Sequence, residues 1–270
     1  MTSEVLTDRA LLEIRGEDAR AFLQGLITND IGKLAPDTAL YAAMLTPQGK
    51  IVCDFLVYDS GPSVLLDCIR DGAADLQKRL LRYRLRTKVE FRMLDECTVA
   101  VARAVPSAGA PVWRDPRHPE LGWRTVQPLG SAIPPLDGCA NFLDRRLNLG
   151  IPEGRDFGCE RMFALDADLD ELHAISFEKG CYVGQELTAR MKHRGTARKK
   201  LVPIVALESR LPEPESPVVV AEREIGTVAA NYGTRGFALL RLDRLAEVEG
   251  LPFSAGGVPV NVIRPEWLFS

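Results

Sequence analysis

The N-terminal third of the chain alternates between stretches with the apolar spacing of strands and stretches with that of helices. Residues 11–15 alternate apolar and polar side chains, which predicts a strand that ends at Gly16. A helical stripe follows at Ala19, Phe22, Leu23, Leu26 and Ile27. A second helix is predicted from Asp71, and further strands are predicted at residues 40–46, 51–58, 63–69 and 88–93. This β-α-β-β-β-α-β order is typical of an α+β fold with largely antiparallel sheet.

The remaining sequence divides into a mixed part and a part with strands alone. Residues 106–119 predict a Pro-rich loop, residues 121–126 a strand and residues 140–149 a helix, whereas residues 150–174 follow no clear pattern. After Gly195, short strands separated by Pro and Gly turns are predicted at residues 201–207, 218–220, 225–230, 237–242 and 258–263. We therefore expect an α+β region over residues 1–197 and a small β-barrel over residues 198–270.

Charge and composition narrow the classes of partner. The 270 residues are 46% apolar and carry a net charge of −3, which argues against a nucleic-acid partner. The sequence has no apolar run long enough for a membrane helix and opens without a signal or transit pattern, so a cytoplasmic protein and no membrane contact are expected. Two basic runs are either solvated faces or parts of a polyanion site, at Arg82, Arg84, Arg86, Lys88 and Arg92, and at Arg190, Lys192, Arg194, Arg198, Lys199 and Lys200.

The cysteines do not have the spacing of a metal or cluster site. They stand at Cys53, Cys68, Cys97, Cys139, Cys159 and Cys181, without a CxxC pair, and the three histidines are scattered. No metal site is expected, and most of these thiols are expected to be small core residues.

Cys181 is the best candidate for a reactive thiol. It lies between Gly180 and Gly184, two residues after Lys179, and just before a helix predicted over residues 185–191. A nearby ammonium and a helix N-terminus both lower a thiol pKa. Spacing alone nevertheless favours a buried structural cysteine in a glycine-flanked turn.

Asp54 is the other candidate, because it interrupts a strand that is otherwise apolar on both faces. A strand of this kind is usually buried on both sides. A carboxylate there must be paired, hydrogen-bonded or directed into a cavity. Pairing with an arginine and a functional role are equally compatible with the pattern.

Residues 179–186, KGCYVGQE, match the K-G-C-Y-x-G-Q-E motif of the YgfZ family, which includes mitochondrial iron–sulfur assembly relatives. The N-terminal half resembles the same family and its relative, the glycine cleavage aminomethyltransferase (T-protein). The matching segments are FLQG at residues 22–25, TND at residues 28–30, and TPQGK at residues 46–50 leading into Asp54. The resemblance covers nearly the whole chain.

The resemblance implies a fold, a ligand and a role. The implied fold is a three-lobed ring of two interleaved ferredoxin-like parts plus a C-terminal β-barrel, with tetrahydrofolate or a one-carbon derivative in the central cavity. Cys181 and Asp54 are the implied catalytic residues, and Tyr41, Phe55 and Tyr182 are possible walls for the flat ring. The implied folate contacts are Asp54, Tyr41, Lys179, Tyr182, Gln185, Glu186 and Arg190.

The implied function is an accessory role in the assembly or repair of 4Fe–4S proteins, with client proteins or assembly factors as partners. The alternative is an enzyme that transfers an aminomethyl or other one-carbon unit on folate. Two departures from the T-protein pattern count against this alternative: Cys53 replaces the first of two paired aspartates, and the GYTGE-like loop is missing. An RNA-modification partner is the third and weakest hypothesis.

Overall fold

The computed structural model describes residues 3–104, 111–131, 141–195, 198–248 and 250–269. The strands of the α+β region are β1 (Ser3–Leu6), β2 (Arg9–Arg15), β3 (Leu40–Leu45), β4 (Ile51–Asp59), β5 (Ser63–Ile69), β6 (Glu90–Met93), β7 (Cys97–Ala102), β8 (Val112–Arg114) and β9 (Trp123–Pro128). The barrel strands are β10 (Lys199–Ala206), β11 (Pro217–Val220), β12 (Arg223–Tyr232), β13 (Arg235–Arg241), β14 (Phe253–Ala255) and β15 (Val258–Val262). The helices are α1 (Ala19–Gln24), α2 (Arg70–Tyr83), α3 (Phe142–Leu149), α4 (Gly154–Phe157), α5 (Gln185–Arg194), α6 (Leu242–Ala246) and α7 (Glu266–Phe269).

The first lobe is a five-stranded antiparallel sheet in the order β3-β4-β5-β2-β6, with α1 and α2 on one face. Its element order is the predicted β-α-β-β-β-α-β, so that prediction is confirmed. Successive residues of a strand point to opposite faces. Phe55 and Val57 therefore pack under the helices, whereas Leu56 and Tyr58 face the rest of the molecule.

The second lobe is a four-stranded sheet in the order β1-β7-β9-β8. β1 precedes the first lobe in the chain and pairs with β7, which follows it, so the two lobes are interleaved. β1 and β7 were not predicted, and the expected loop over residues 106–119 is wrong in part because it contains β8. Its residues 105–110 lie outside the described part of the chain. β9 begins at Trp123 because a 3-10 turn at Pro119–Leu121 and a positive φ at Gly122 precede it.

The third lobe is a closed six-stranded barrel in the order β10-β13-β12-β11-β14-β15. All five predicted strands are present, and β14 is the additional one. Gly226 and Gly236 allow neighbouring strands to approach closely, because a Cβ at either position would lie 2.1 Å from a backbone carbonyl oxygen. The expected boundary at residue 197 falls outside the described residues.

The three lobes meet in one shared core. Tyr58 of the first sheet stacks on Trp113 of the second, with ring centroids 4.4 Å apart, and Phe237 of the barrel belongs to the same cluster. The predicted helix over residues 140–149 is α3, which Asn141 caps by accepting a hydrogen bond from the Asp144 N–H. Residues 150–174, which follow no sequence pattern, form α4 and a series of turns beside this core.

Across the described ranges of the chain, no helix is long and apolar enough to cross a membrane.

Candidate functional site

Asp54 lies on the face of β4 that is directed at the other lobes, and its side chain is 1% exposed. Its Oδ2 accepts a hydrogen bond of 2.8 Å from the Tyr41 hydroxyl. Its Oδ1 is buried and has no hydrogen-bond partner among the described residues. Gly154 lies against this oxygen, since a Cβ there would be 2.8 Å from it. The unpartnered acceptor therefore faces a space that exists because residue 154 lacks a side chain.

A chain of buried ion pairs connects the three lobes around Asp54. Asp67 of the first sheet binds Arg9 Nε at 2.6 Å and Arg124 Nη1 of the second sheet at 2.9 Å. Arg124 also binds Asp115 at 3.0 Å, and Asp115 binds Arg117 at 2.7 Å.

The chain continues from the second sheet to the barrel. Arg117 binds Glu153 at 3.1 Å, and Glu153 lies 3.4 Å from Arg146 Nε. Arg146 donates to Asp156 Oδ2 at 2.6 Å, and Asp156 Oδ1 accepts from the Tyr232 hydroxyl of the barrel at 2.6 Å. We call these residues the central ion network. The sequence pattern does not predict this network, because the residues that pair with each other are distant in the chain.

Arginines of the central ion network hold Glu153 charged more firmly than Asp54, whereas burial raises the pKa of Asp156 in the same network. Burial would raise the pKa of Glu153, but the guanidinium groups of Arg146 and Arg117 outweigh it and lower that pKa to about 2. Burial raises the pKa of Asp54 above the usual carboxyl range, against the attraction of Arg9 and the hydrogen bond from Tyr41. Of the Glu153 and Asp54 carboxyl groups, that of Asp54 is therefore more easily protonated.

A cavity of about 330 Å³ opens beside Asp54 and Gly154. Its walls include the apolar side chains of Val52, Ile69, Leu76 and Phe157. Arg155 is the cation in its lining and belongs to neither predicted basic run. Asp71 and Asp75 also line the cavity, and Arg155 lies 3.4 Å from Asp71. Phe55 lies in the opposite core, under the helices.

These residues fit the flat ring of a folate. The Asp54 Oδ1 can accept from a ring N–H or amino group, and the apolar walls can cover the ring faces. An anionic tail would pair with Arg155 in competition with Asp71. Gly154 supports the fit because any side chain there would occupy the space beside the carboxylate.

Lys179 anchors the motif segment, residues 179–186, to the N-terminal motifs. Its ammonium donates to the carbonyl oxygens of Gln24, Ile27 and Asn29 at 2.7, 2.7 and 2.8 Å. These carbonyls belong to the end of α1 and the turn after it, where helices leave carbonyls unpaired. Burial lowers the pKa of Lys179 to about 8. At neutral pH the ammonium form supplies all three donors.

Other parts of the motif segment are held equally closely. Val183 N–H donates to the Gly25 carbonyl, and the Tyr182 ring is buried with the Lys179 ammonium 5.0 Å from its centroid. Gly184 adopts φ +85°, and a Cβ there would lie 2.6 Å from the Thr46 carbonyl. The segment is therefore fixed against both the turn at residues 28–30 and the turn at residues 46–50.

Cys181 is exposed, although the residues on both sides of it are anchored. The expectation of a buried structural thiol, which spacing alone favoured, is wrong. Gln185 accepts a long hydrogen bond of 3.4 Å from the Tyr182 N–H, and Glu186 pairs with Arg190 at 3.0 Å on the exposed face of α5. None of these residues lines the cavity beside Asp54.

Asp54 and Cys181 are connected indirectly. Tyr41, which bonds to Asp54, accepts a hydrogen bond of 2.8 Å at its own carbonyl from the Asn29 side chain. The Asn29 carbonyl accepts from Lys179, two residues before Cys181. The structure thus brings Asp54, Tyr41 and Lys179 into one hydrogen-bonded series and leaves Cys181 at its solvent end.

The other described cysteines are free thiols in different surroundings. Cys68 is buried, Cys53 and Cys159 line the Asp54 cavity, and Cys159 is exposed. Cys139 lies outside the described residues. No group of three or more His, Cys, Asp or Glu side chains in the described ranges has the arrangement of a metal site.

Comparison with known proteins relates both ends of the chain to two family models. Residues 7–110 match the model described as the GCVT N-terminal domain, and residues 198–270 match the CAF17 C-terminal beta-barrel domain. The aminomethyltransferase T of the glycine cleavage system from Bartonella henselae superimposes with a TM-score of 0.76 at 15% identity, covering 98% of this chain and 85% of that one. The predicted T-protein-like fold is confirmed.

Three curated relatives are described as iron–sulfur cluster assembly factors. The iron-sulfur cluster assembly factor IBA57, mitochondrial, of Mus musculus is 36% identical and is aligned over 97% of this chain and 84% of its own length. Its Homo sapiens counterpart is 33% identical with the same coverage. A Neurospora crassa homolog is 38% identical over 77% of this chain, which spans 54% of that relative. The chain therefore belongs to the family of the IBA57 iron–sulfur cluster assembly factors.

Proposed function

We propose that this chain is a YgfZ-type accessory protein that assists the assembly or repair of 4Fe–4S proteins and binds a tetrahydrofolate beside Asp54. Client proteins or assembly factors are its partners, and Cys181 is the residue that acts on them. The names of the mouse and human relatives support the assembly role.

One observation carries the proposal: an exposed thiol stands on a segment that is otherwise rigidly held. Lys179, Tyr182 and Gly184 are fixed by hydrogen bonds, burial and close backbone contact, while Cys181 between them reaches solvent. A thiol with a structural role is normally buried. A position that is both fixed and accessible suits a group that must meet another macromolecule in a defined geometry.

The folate part of the proposal rests on the unpartnered Asp54 Oδ1 and the cavity beside it. When bound, the folate would supply one-carbon or redox chemistry. Asp54 would orient its ring, Gly154 would leave room for it, and Tyr41 would hold the other carboxylate oxygen in place.

The assembly role is tested in cells that lack the gene and grow under mild oxidative stress. Wild type and Cys181→Ser are compared at equal protein levels, with Cys97→Ser as the control for loss of another partly exposed thiol, one that does not line the cavity. We expect wild type and the control, but not Cys181→Ser, to restore the activity of a 4Fe–4S enzyme. Equal restoration by all three would remove Cys181 from the mechanism, and no deficit in the deletion would refute the assembly role.

Folate binding is tested by calorimetric titration with tetrahydrofolate. Asp54→Asn can still accept the Tyr41 hydrogen bond but loses the negative charge, so we expect affinity to fall about tenfold or more. Asp37→Asn, in an exposed turn, should bind as wild type does. Unchanged affinity for Asp54→Asn would place the folate elsewhere.

Folate-dependent aminomethyl transfer remains the second candidate, because Asp54 matches a T-protein position on a T-protein-like fold. Formation of methylenetetrahydrofolate from an aminomethyl-lipoyl carrier separates the two functions, since only the transferase predicts it.

A further inference from the structure

The end of α2 and the turn after it expose apolar side chains among arginines. Leu85 is 88% exposed, the highest value for any large apolar side chain in the described ranges, and Leu81 and Tyr83 are 44% and 38% exposed. Arg82, Arg84 and Arg86 alternate with them and are also exposed. Within the described residues, these three guanidinium groups form no ion pair. We call residues 81–86 the Leu85 surface.

The backbone holds Leu85 outward in a conformation that leucine rarely adopts. Leu85 has φ +43°, in the left-handed region that favours glycine at the end of a helix. The turn is well anchored: Thr87 N–H donates to the Arg84 carbonyl at 2.8 Å, and Lys88 N–H donates to Asp18 Oδ2 at 2.7 Å. A leucine is unfavourable here for folding both because of its backbone and because of its exposure. The exposed leucine therefore points to a role in contact with another molecule.

A groove lies beside the Leu85 surface. It is lined by Leu85, Arg86 and Thr87 on one side and by Asp18, Ala21 and Phe22 of the α1 region on the other. The acidic groups next to it are already engaged, since Asp18 accepts from Lys88 N–H and Glu17 pairs with the Lys88 ammonium. Asp18 keeps its negative charge in the lining, where Arg86 is the cation. Arg82 and Arg84 lie on the adjoining Leu85 surface, so positive charge exceeds negative charge beside the groove.

We propose that the Leu85 surface and its groove are a docking site for an acidic segment of a partner protein that inserts an apolar side chain against Leu85 and Phe22. Three unpaired guanidinium groups around an apolar centre fit carboxylates around an apolar residue. A net-acidic chain with one small basic surface fits a protein partner better than nucleic acid, whose binding would require a longer basic face. Leu81, Tyr83 and Leu85 together also give too little apolar area for stable attachment to a bilayer.

The position of this surface relates it to Cys181. The groove lies at the start of α1, whose six residues span about 9 Å. Lys179 binds carbonyls at the other end of the same helix. A partner on the groove would thus be one short helix from the Lys179 contacts, and Lys179 precedes Cys181 by two residues. The identity of this partner as an iron–sulfur assembly protein rests on the proposed function. The docking site itself is independent of that function.

The site is tested first by cross-linking in cells. Benzoylphenylalanine replaces Leu85 in the full chain, or Leu129 as a control at another exposed leucine. We expect a protein cross-linked from position 85 and not from 129, through a peptide richer in Asp and Glu than in Lys and Arg. No adduct specific to position 85, or an RNA or lipid adduct there, would overturn the proposal.

The protein recovered in that way is then titrated against purified variants. Arg82→Glu/Arg84→Glu/Arg86→Glu should weaken Kd at least tenfold at low salt, with a smaller difference at high salt, and Arg210→Glu should stay within twofold. Leu85→Gly should also weaken Kd about tenfold while its Tm equals or exceeds that of wild type, because glycine relieves the positive φ. A lower Tm with unchanged Kd would show that Leu85 has a structural role. Preferential binding to phosphatidylserine vesicles that the arginine reversal removes would assign the surface to lipid.

Two outcomes separate this inference from the proposed function. Cys181→Ser should leave the cross-link at position 85 intact, because the thiol lies outside the groove. If complementation shows no need for Cys181 but the cross-link persists, the docking site stands and the assembly mechanism falls. If complementation requires Cys181 but position 85 gives no specific adduct, the docking site falls alone.

Discussion

Asp54 and Gly154 show how one oxygen atom and one missing side chain define a binding space. The carboxylate has one oxygen satisfied by Tyr41 and one left without a partner. An unpaired acceptor costs about 1–3 kcal/mol when it is buried in a folded protein. A ligand that donates a hydrogen bond to this oxygen would remove this cost, and the free energy gained would favour binding.

Replacing Gly154 by alanine tests this arrangement directly. The added methyl would lie 2.8 Å from Asp54 Oδ1 and 3.2 Å from Ile69 Cγ1, so it would fill the space proposed for the ring. We expect tetrahydrofolate affinity, measured by calorimetry, to fall about tenfold or more, with a stability loss of about 1–2 kcal/mol. Gly25→Ala is the matched control, since its methyl would meet only a carbonyl oxygen at 3.9 Å. Equal affinity for both variants would contradict the placement of the ring.

At the scale of elements, Lys179 joins the motif segment to α1. Three carbonyls that a helix end and turn would otherwise leave unpaired share one ammonium. Thr28 strengthens the same junction, because its hydroxyl donates to the Ala174 carbonyl at 2.6 Å while accepting from Ala43 N–H. The motif segment and the N-terminal motifs at residues 22–25 and 28–30 therefore contact each other in the fold.

Lys179→Met should break this junction while keeping the length of the side chain. Three carbonyls would lose their donor, and we expect the free energy of unfolding in urea to fall by about 2–4 kcal/mol. Lys192→Met removes a largely exposed pair with Asp170 and a contact with the Phe177 ring, and should change the free energy of unfolding by less than about 1 kcal/mol. A similar small change in both variants would show that the Lys179 contacts are not stabilising.

The strands of the first lobe and five of the six barrel strands could be predicted from sequence because each has a clear apolar period and turn residues at its ends. β8 could not, since its three residues lie in a Pro-rich stretch and are paired only through β9. For the site, the burial of Asp54 followed from its strand. The partners of Asp54 did not, because Gly154 and Arg117 are separated from it by many residues and reach it only through the fold.

At the scale of the whole molecule, the central ion network is the main polar link between the lobes. Removing one partner of a buried ion pair typically costs about 3–5 kcal/mol, because it leaves an uncompensated charge. Glu153 is the member that contacts both Arg117 and Arg146, so it connects the second sheet with the segment leading to the barrel.

Glu153 gives this network a testable dependence on pH. Its pKa in the folded protein is about 2, below the ordinary value of 4.5. Its stabilisation is therefore fully present above about pH 5 and is lost as the pH falls toward 2. We expect wild type to exceed Glu153→Gln by about 3 kcal/mol in unfolding free energy at pH 6, and the gap to narrow below pH 4.5.

The exposed pair of Glu96 with Arg92 provides the comparison. Glu96→Gln should differ little from wild type over the same pH range, because solvent screens this pair. A gap for Glu153→Gln that stays constant down to pH 3 would show that Glu153 is not held ionised by its arginines.

The interleaving of the two sheets has a consequence for the order in which the nascent chain can fold. β2 to β6 form a contiguous stretch, so the first sheet can close as soon as Met93 has left the ribosome. β1 is synthesised before all of them, yet its partner β7 emerges last of this group, and β9 follows only at residues 123–128. β1 therefore waits without its partner β7 while the first lobe assembles, and the second sheet cannot be completed before Pro128 has been synthesised. A long delay between strands that must pair is a known source of misfolding during synthesis. The charged and polar residues of β1, Ser3 and Glu4 among them, lower the risk that the waiting strand joins a wrong edge.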